Sequence, residues 1–421
     1  MRKIKTLLAL ALTAVLTAGC TAMDTPFGPI LNDPEEDNTA ASEAAELTFW
    51  VDEADQGTFE TALNAFNATQ DLVNVTCVFY KRAELSTALK EAADKGEMPS
   101  MWTTSPGPDS RFFAENGLTY DLTQFAMEKD WDSLFRPAAM KMVSMNDSVV
   151  GYPTSLSAFG IYYNKSLFAQ AGLKVPETFE ELENICAVLK TSGIVPFALA
   201  GKSSNQTSYF LECLIEYFAG SASHDRMLAL KSTWNNDAVS QAAALYQQYA
   251  ELGFFESGFN DNKLKKVYEL LRTRKAAMTI FDQGGDHFLT EHGVNPDEFG
   301  WFPFPSVEGR VAASGDMVQL SASLTENEVS AAVSFLDYYM NTLVSYDNSY
   351  FTDPIKGHSI QGNQPNTAAV LTAADERGVY TIFATALPAD NRTIYKDVIR
   401  ALTEEKLPPN EAAARLAAAF R

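Results

Sequence analysis

Leu47-Thr48-Phe49-Trp50-Val51 alternates large apolar residues with mixed ones, and behind it Phe59, Ala62, Leu63 and Phe66 recur at the spacing of one helical face. Val73, Val75, Cys77 and Phe79 alternate again, and Leu85, Ala88, Leu89 and Ala92 restore the helical period as far as Gly96. Side chains repeat every two residues along a strand and about every 3.6 along a helix, so these rhythms spell β-α-β-α. Parallel strands need a crossover between them, and a helix supplies it, so this order predicts a parallel sheet covered by helices. The fold class is α/β, with Trp50 expected in the core of the first strand.

The same grammar continues downstream. Thr178 precedes Phe179 with Glu181 three residues on, a capping-box spacing, and Phe179, Leu182, Ile185 and Leu189 form a buried stripe that ends near Gly193. Ala276-Ala277-Met278-Thr279-Ile280-Phe281 reads as a short buried strand running into the turn Asp282-Gln283-Gly284-Gly285-Asp286. In open α/β sheets ligands sit outside the carboxyl ends of strands, so this turn is a candidate site element. From Leu47 onward roughly 375 residues remain, more than one typical domain, which predicts two lobes. The interior shows no repeat and no linker, so the chain is expected to cross between the lobes more than once.

The first residues, Met1-Arg2-Lys3-Ile4-Lys5, are basic and lead into an apolar run from Leu7 to Leu16. That run is shorter than the roughly 20 residues that span a bilayer, so it reads as an export leader. Leu16-Thr17-Ala18-Gly19-Cys20 resembles a bacterial lipobox, with Thr17 where leucine is more usual. The resemblance implies cleavage before Cys20 and diacylation of its sulfur, and two acyl chains suffice for stable attachment to a membrane. Ordinary leader cleavage with Cys20 incidental is the alternative. Pro26, Pro29, Pro34 and the acidic Glu35-Glu36-Asp37 give the next segment, as far as Glu46, the composition of a disordered tether reaching about 30 Å.

The net charge of −22 repels nucleic acid and anionic headgroups, so neither is an expected partner. Cys77, Cys186 and Cys213 are odd in number and unpaired by spacing, which favours buried thiols over a disulfide framework. His224, His287, His292 and His358 sit in no HExxH motif, and neither a GxSxG elbow nor a phosphate-binding glycine loop is present. Asp286-His287 with Glu291-His292 is the one tempting metal cluster, but five-residue spacing leaves its histidines off a shared helical face. No metal, cofactor or catalytic residue is expected.

Gly151-Tyr152-Pro153, followed by Tyr162-Tyr163-Asn164-Lys165-Ser166-Leu167-Phe168 and Ala171-Gly172-Leu173, resembles family 1 extracellular solute-binding proteins, the maltose-binding-protein-like group. Met98-Pro99, Lys275-Ala276-Ala277-Met278, Phe302-Pro303-Phe304-Pro305 and Pro409-Asn410-Glu411-Ala412 agree with that family's pattern in order. The resemblance implies a two-lobe type II periplasmic-binding-protein fold with hinge crossovers and a central ligand cleft, acting as a monomer that delivers a sugar to ABC transporter permease subunits. It divides the chain into a leader (1–19), the lipidated cysteine and tether (20–46), an N-terminal lobe (47–157 and a return at 314–345) and a C-terminal lobe (158–313 and 346–421). A ligand-loaded partner of a membrane sensor, a receptor for a non-sugar solute and a surface glycan hydrolase are the rival functions.

Sugars are held by aromatic rings against their C–H faces and by carboxylates or amides against pairs of hydroxyls. Asp52 and Glu53 follow the first strand, Tyr80 and Arg82 the second, and Trp102, Ser105 and Asp109 lie at and after the third. All seven are candidate contacts; Trp102 in the core and the acids in solvent is the competing reading. Ser155 and Ser157 flank the expected first crossover, as ligand donors or as hinge structure. Asn205, Gln206 and Tyr209 open a helix in the second lobe, and Asp282, Gln283 and Asp286 form the turn already noted. His358 faces either the cleft or solvent, and Trp301 is expected to pack near Pro303 and Pro305. The family's tryptophan after the Ala277-Met278 strand is missing, which suggests a ligand held more by hydrogen bonds than by stacking.

Overall fold

The computed structural model describes residues 45–70, 73–345, 354–357, 362–387 and 389–420. Cys20, the leader, the tether and His358 lie outside the described residues. The first strand, β1 (Ala45–Asp52), pairs in parallel with β2 (Val73–Tyr80) over its whole length, from Ala45↔Val73 to Asp52↔Tyr80. Helix α1 (Gln56–Thr69) connects them, and α2 (Arg82–Lys95) leads on to β3 (Met101–Thr104). Gly96 closes α2 in the left-handed region at φ 71°, a conformation that costs glycine least.

The alternation in β1 sorts its two faces. Leu47, Phe49 and Val51 are buried beneath α1 and the long helix α7 (Glu326–Ser345), where Phe49 meets the edges of Phe59 at 5.1 Å and Phe335 at 6.0 Å. Burial of each such ring stabilises the lobe by roughly 1.5–3 kcal/mol. Trp50, on the other face, is only half-buried: with Tyr80, 5.0 Å away, it packs on the rim of a smaller cluster of Leu85, Leu89, Trp102 and Phe113.

The chain leaves this sheet at β4 (Tyr152–Pro153) and enters a second one at β5 (Ser157–Asn164). The second sheet is filled by β6 (Val195–Phe197), β7 (Ala276–Asp282), β8 (Phe299–Phe302), β9 (Val311–Ser314) and β11 (Val379–Thr381). Between the last two, β10 (Met317–Leu320) returns to the first sheet, antiparallel to β3 and β4, and α7 follows it. The first sheet therefore runs β2-β1-β3-β10-β4 and the second β11-β9-β5-β7-β6, with β8 beside β5. The two crossovers lie side by side, since Ser314 pairs with Ser157.

Helix α3 (Pro108–Glu115) follows β3 in the first lobe, where Phe113 packs on Trp102, and around the second sheet stand α4 (Phe179–Thr191), α5 (Gln206–Ala219), α6 (Ser221–Leu228), α8 (Thr367–Arg377), α9 (Phe383–Ala386), α10 (Ala389–Glu404) and α11 (Pro409–Ala419). Thr178 caps α4 by accepting from the Glu181 N–H at 3.2 Å, but the Glu181 carboxylate accepts from the Glu177 N–H at 2.7 Å, so the expected box closes one residue early. Trp301 packs over Gly160 in β5. Cys77, Cys186 and Cys213 are free thiols. Among the described residues no helix is long and apolar enough to cross a membrane.

Candidate functional site

The carboxyl ends of β1 and β3 and the start of β10 meet at one place, because β3 lies between the other two strands in the first sheet. There Asp52, buried at the end of β1, takes the Arg82 Nε–H from the first turn of α2. Arg82 Nη2 reaches Asp316 Oδ1 at 3.3 Å. Asp316 sits on the second crossover and accepts from Ser105 Oγ at 2.8 Å and Ser155 Oγ at 3.3 Å, while its own N–H donates to Ser155 Oγ at 2.8 Å. The backbone N–H groups of Thr154 and Ser155 donate to its carbonyl, so one aspartate ties both crossovers to the loop after β3.

Asp55 completes the group. Burial, then the neighbouring Asp316 and Asp52 carboxylates, push its carboxyl up to about 6 against the pull of Arg82. Asp52, Asp55, Arg82, Ser105, Asp316 and Asp109, the last held by Lys90 at 2.7 Å and Ser86 at 2.6 Å, wall a pocket that opens to solvent. Its far side comes from the second lobe, from Thr385, Ala386 and Leu387 at the end of α9. The lobes touch beside it: a Cβ added to Gly107 would stand 2.7 Å from the Ala386 Cβ, and Lys231 Nζ meets Glu115 at 2.8 Å. Carboxylates, a guanidinium and hydroxyls converging from two lobes can take several hydroxyl groups of one ligand at once.

Asp52, Arg82, Ser105 and Asp109 thus reach the pocket wall, with Ser155 behind Asp316. Glu53 is exposed and Tyr80 lies against Trp50, off that wall. On the second lobe, burial raises the carboxyl of Asp282 at the end of β7, with Ser157 as hydrogen-bond partner, and Tyr209 packs its ring 4.6 Å from Phe159. Asn205 lines a different cavity.

Four expected contacts serve the interior instead. Trp102 is fully buried against Phe113, and its indole N–H donates to Gln319 at 3.2 Å, because β3 is a central strand. Gln206 donates to Ile280 O at 2.6 Å and Thr279 Oγ1 at 3.2 Å and accepts from the Ala200 N–H, which saturates its amide. Gln283 clamps the first crossover through Leu156 O at 2.5 Å and the Ala158 N–H at 2.8 Å. Asp286 accepts from Asn366 and Thr367 at the start of α8. Sequence reasoning missed Asp55, whose signal was its place three residues after Asp52, and Asp316, which has no local signal beyond Gly315.

Among the described residues no group of three His, Cys, Asp or Glu side chains is placed to hold a metal ion. His287 pairs with Glu291 at 3.4 Å, whereas His292 stacks on Tyr268 at 3.8 Å.

Residues 50–342 match the family model of the bacterial extracellular solute-binding protein. The chain belongs to that family. Among curated solute-binding proteins, the multiple sugar-binding protein of Streptococcus mutans is 25% identical over 297 residues, covering 67% of this chain and 69% of the relative. The sn-glycerol-3-phosphate-binding periplasmic protein UgpB of Rhizobium meliloti is 23% identical over 373 residues, 81% of this chain and 79% of its own. Among solved structures, the apo form of RafE from Streptococcus pneumoniae superposes with a TM-score of 0.67 at 19% identity, covering 91% of this chain and all of that one. A likeness at that identity establishes the two-lobe solute-binding-protein fold.

Proposed function

We propose that this solute-binding protein captures a mono- or oligosaccharide between its lobes and delivers it to the permease of an ABC importer, acting as a monomer without catalysis. The observation that carries the reading is the pocket between the lobes, where Asp52, Asp55, Arg82, Ser105, Asp109 and Asp316 face α9. Its donors and acceptors suit a ligand rich in hydroxyls, and closure of two lobes would exclude water from those bonds. The similarity to a multiple sugar-binding protein and to RafE, whose structure is solved in complex with raffinose, supports a carbohydrate. The leader and Cys20 support a lipid anchor on the extracytoplasmic face of the cell membrane.

Titration calorimetry tests the reading. The chain from Cys20 onward, carrying Cys20→Ser so that it stays unacylated, is stripped of ligand by a denaturing wash, refolded and titrated with a panel of neutral sugars. Saturable heat, with the sugar recovered unchanged, supports capture. Absence of heat from every sugar in a folded protein overturns the carbohydrate assignment, and a cleaved product would move the chain to the glycan hydrolases.

A further inference from the structure

Glu212 lies in the middle of α5 and is fully buried, yet its carboxylate serves three other elements. It accepts from the Phe383 N–H at 2.9 Å at the start of α9 and from the Tyr395 hydroxyl at 3.3 Å on α10, and it stands 3.2 Å from His224 Nε2 on α6. Helix α9 has four residues, too few to hold a helix in place by itself, and with the residue after it supplies the second-lobe wall of the pocket through Thr385, Ala386 and Leu387. Two further arms leave the same cluster. Glu216, one turn along α5, grips Arg310 through two bonds of 3.0 Å, and Arg310 also meets Asp225 of α6 at 2.9 Å. Arg310 immediately precedes β9, the strand that leads to Asp316 on the opposite pocket wall. Beyond α6, Lys231 is tied back to the Arg226 carbonyl at 2.8 Å and meets Glu115 of the first lobe at 2.8 Å.

The charge balance of this cluster hangs on His224. Three carboxylates, Glu212, Glu216 and Asp225, surround it with one guanidinium, Arg310, so the imidazole is the second group there that can carry positive charge. The other titratable groups packed about it, Tyr380 on β11, Tyr395 on α10 and Cys213 on α5, are kept neutral by burial, which raises all three. Burial raises the carboxyls of Glu212 and Glu216 as well, so both need a neighbouring cation to stay ionised. We propose that Glu212 and His224 are positioning residues for solute capture: the imidazolium holds Glu212, and Glu212 holds α9 as the second-lobe wall of the pocket. Neither residue lines that pocket. The effect on affinity rests on the pocket reading given above, whereas the effect on α9 does not. Because the imidazole is held at about 9, α9 is kept in place below that value and released as the pH rises through it.

Two measurements on the Cys20→Ser chain test this, with circular dichroism confirming the fold at each pH. Hydrogen exchange of residues 383–387, corrected for the intrinsic rate, reads α9 without any solute; calorimetry with the neutral sugar that gives the largest heat reads capture. In the parent, protection and affinity should hold from about pH 6.5 to 8 and fall about ten-fold together by about pH 10, where roughly nine-tenths of the imidazole has lost its proton. His224→Gln should show the lowered values at every pH. Adding Glu212→Gln, which keeps an acceptor for the Phe383 N–H and removes a carboxylate, should restore both, a rescue that a packing defect would not allow. Protection that ignores pH in the parent, or a double variant no better than His224→Gln, overturns the proposal, as does protection that changes while sugar affinity does not. Absence of heat from every sugar refutes the sugar reading instead, and the exchange data then decide whether the two residues position α9.

Discussion

His224 is fully buried in the second lobe, with its Nε2 3.2 Å from Glu212 and its Nδ1 3.5 Å from Glu216 and 3.6 Å from Asp225. Burial by itself would lower the imidazole, but Asp225, Glu212 and Glu216 more than reverse this and hold it at about 9, against the ordinary 6.5. A group whose folded value is raised contributes stability that is complete below its unfolded value and is lost as the pH climbs through the folded one. That window is 6.5 to about 9, and the difference corresponds to roughly 3 kcal/mol. The loss also reaches the pocket, because Glu212 accepts from the Phe383 N–H at 2.9 Å at the start of α9.

His224→Gln retains a polar partner for Glu212 without a titrating charge. Urea unfolding, followed by the intrinsic tryptophan fluorescence to which Trp234, 4.0 Å from Phe383, contributes, reads the effect. Near pH 6 the variant should be less stable than the parent by about 3 kcal/mol, and the gap should narrow to under about 1 kcal/mol near pH 9.5. A gap that stays constant over this range would refute the reasoning, because the missing stability would then come from packing and not from the imidazolium.

Three further outcomes follow from named contacts. Asp55 has its carboxyl raised to about 6, so at neutral pH its ionised form opposes folding; Asp55→Asn should raise stability near pH 7.5 by about 1–2 kcal/mol, discounted for partial exposure, and change nothing near pH 4, as thermal melts at both values would read. Gly107→Ala places a methyl against Ala386, and small-angle scattering should show the lobes held apart with solute affinity weakened about ten-fold and the melting midpoint little changed. Trp102→Phe leaves a void beside Phe113 and strands Gln319, so it should cost about 2–4 kcal/mol in urea unfolding while solute affinity measured by calorimetry stays near that of the parent.

The α/β order of the first lobe was legible because the two faces of β1 differ in burial: Leu47, Phe49 and Val51 are buried, whereas Thr48 is exposed and Trp50 half-buried. The same local logic could not place Trp102, since a short strand in the middle of a sheet buries both faces and its periodicity carries no label for the cleft. Gln206, Gln283 and Asp286 misled for a related reason. Polar residues at strand ends suit a ligand or the backbone of a neighbouring segment, and only the fold showed that Ile280, Leu156 and Asn366 reach them first. Asp316 was invisible because its role depends on Arg82, 234 positions away, and on a crossover that juxtaposes it with Ser155.

The central claim is that a sugar is held at the Asp52–Arg82–Asp316 wall between the lobes. The most direct test is a pair of calorimetric titrations with the sugar that gives saturable heat, on the parent chain and on Arg82→Gln, with melts confirming that both are folded. Loss of the guanidinium removes charge-assisted donors from the pocket and leaves Asp52 and Asp316 facing each other, so affinity should fall about 30-fold or more. Equal affinity in the two proteins would contradict the account and place the sugar elsewhere on the molecule.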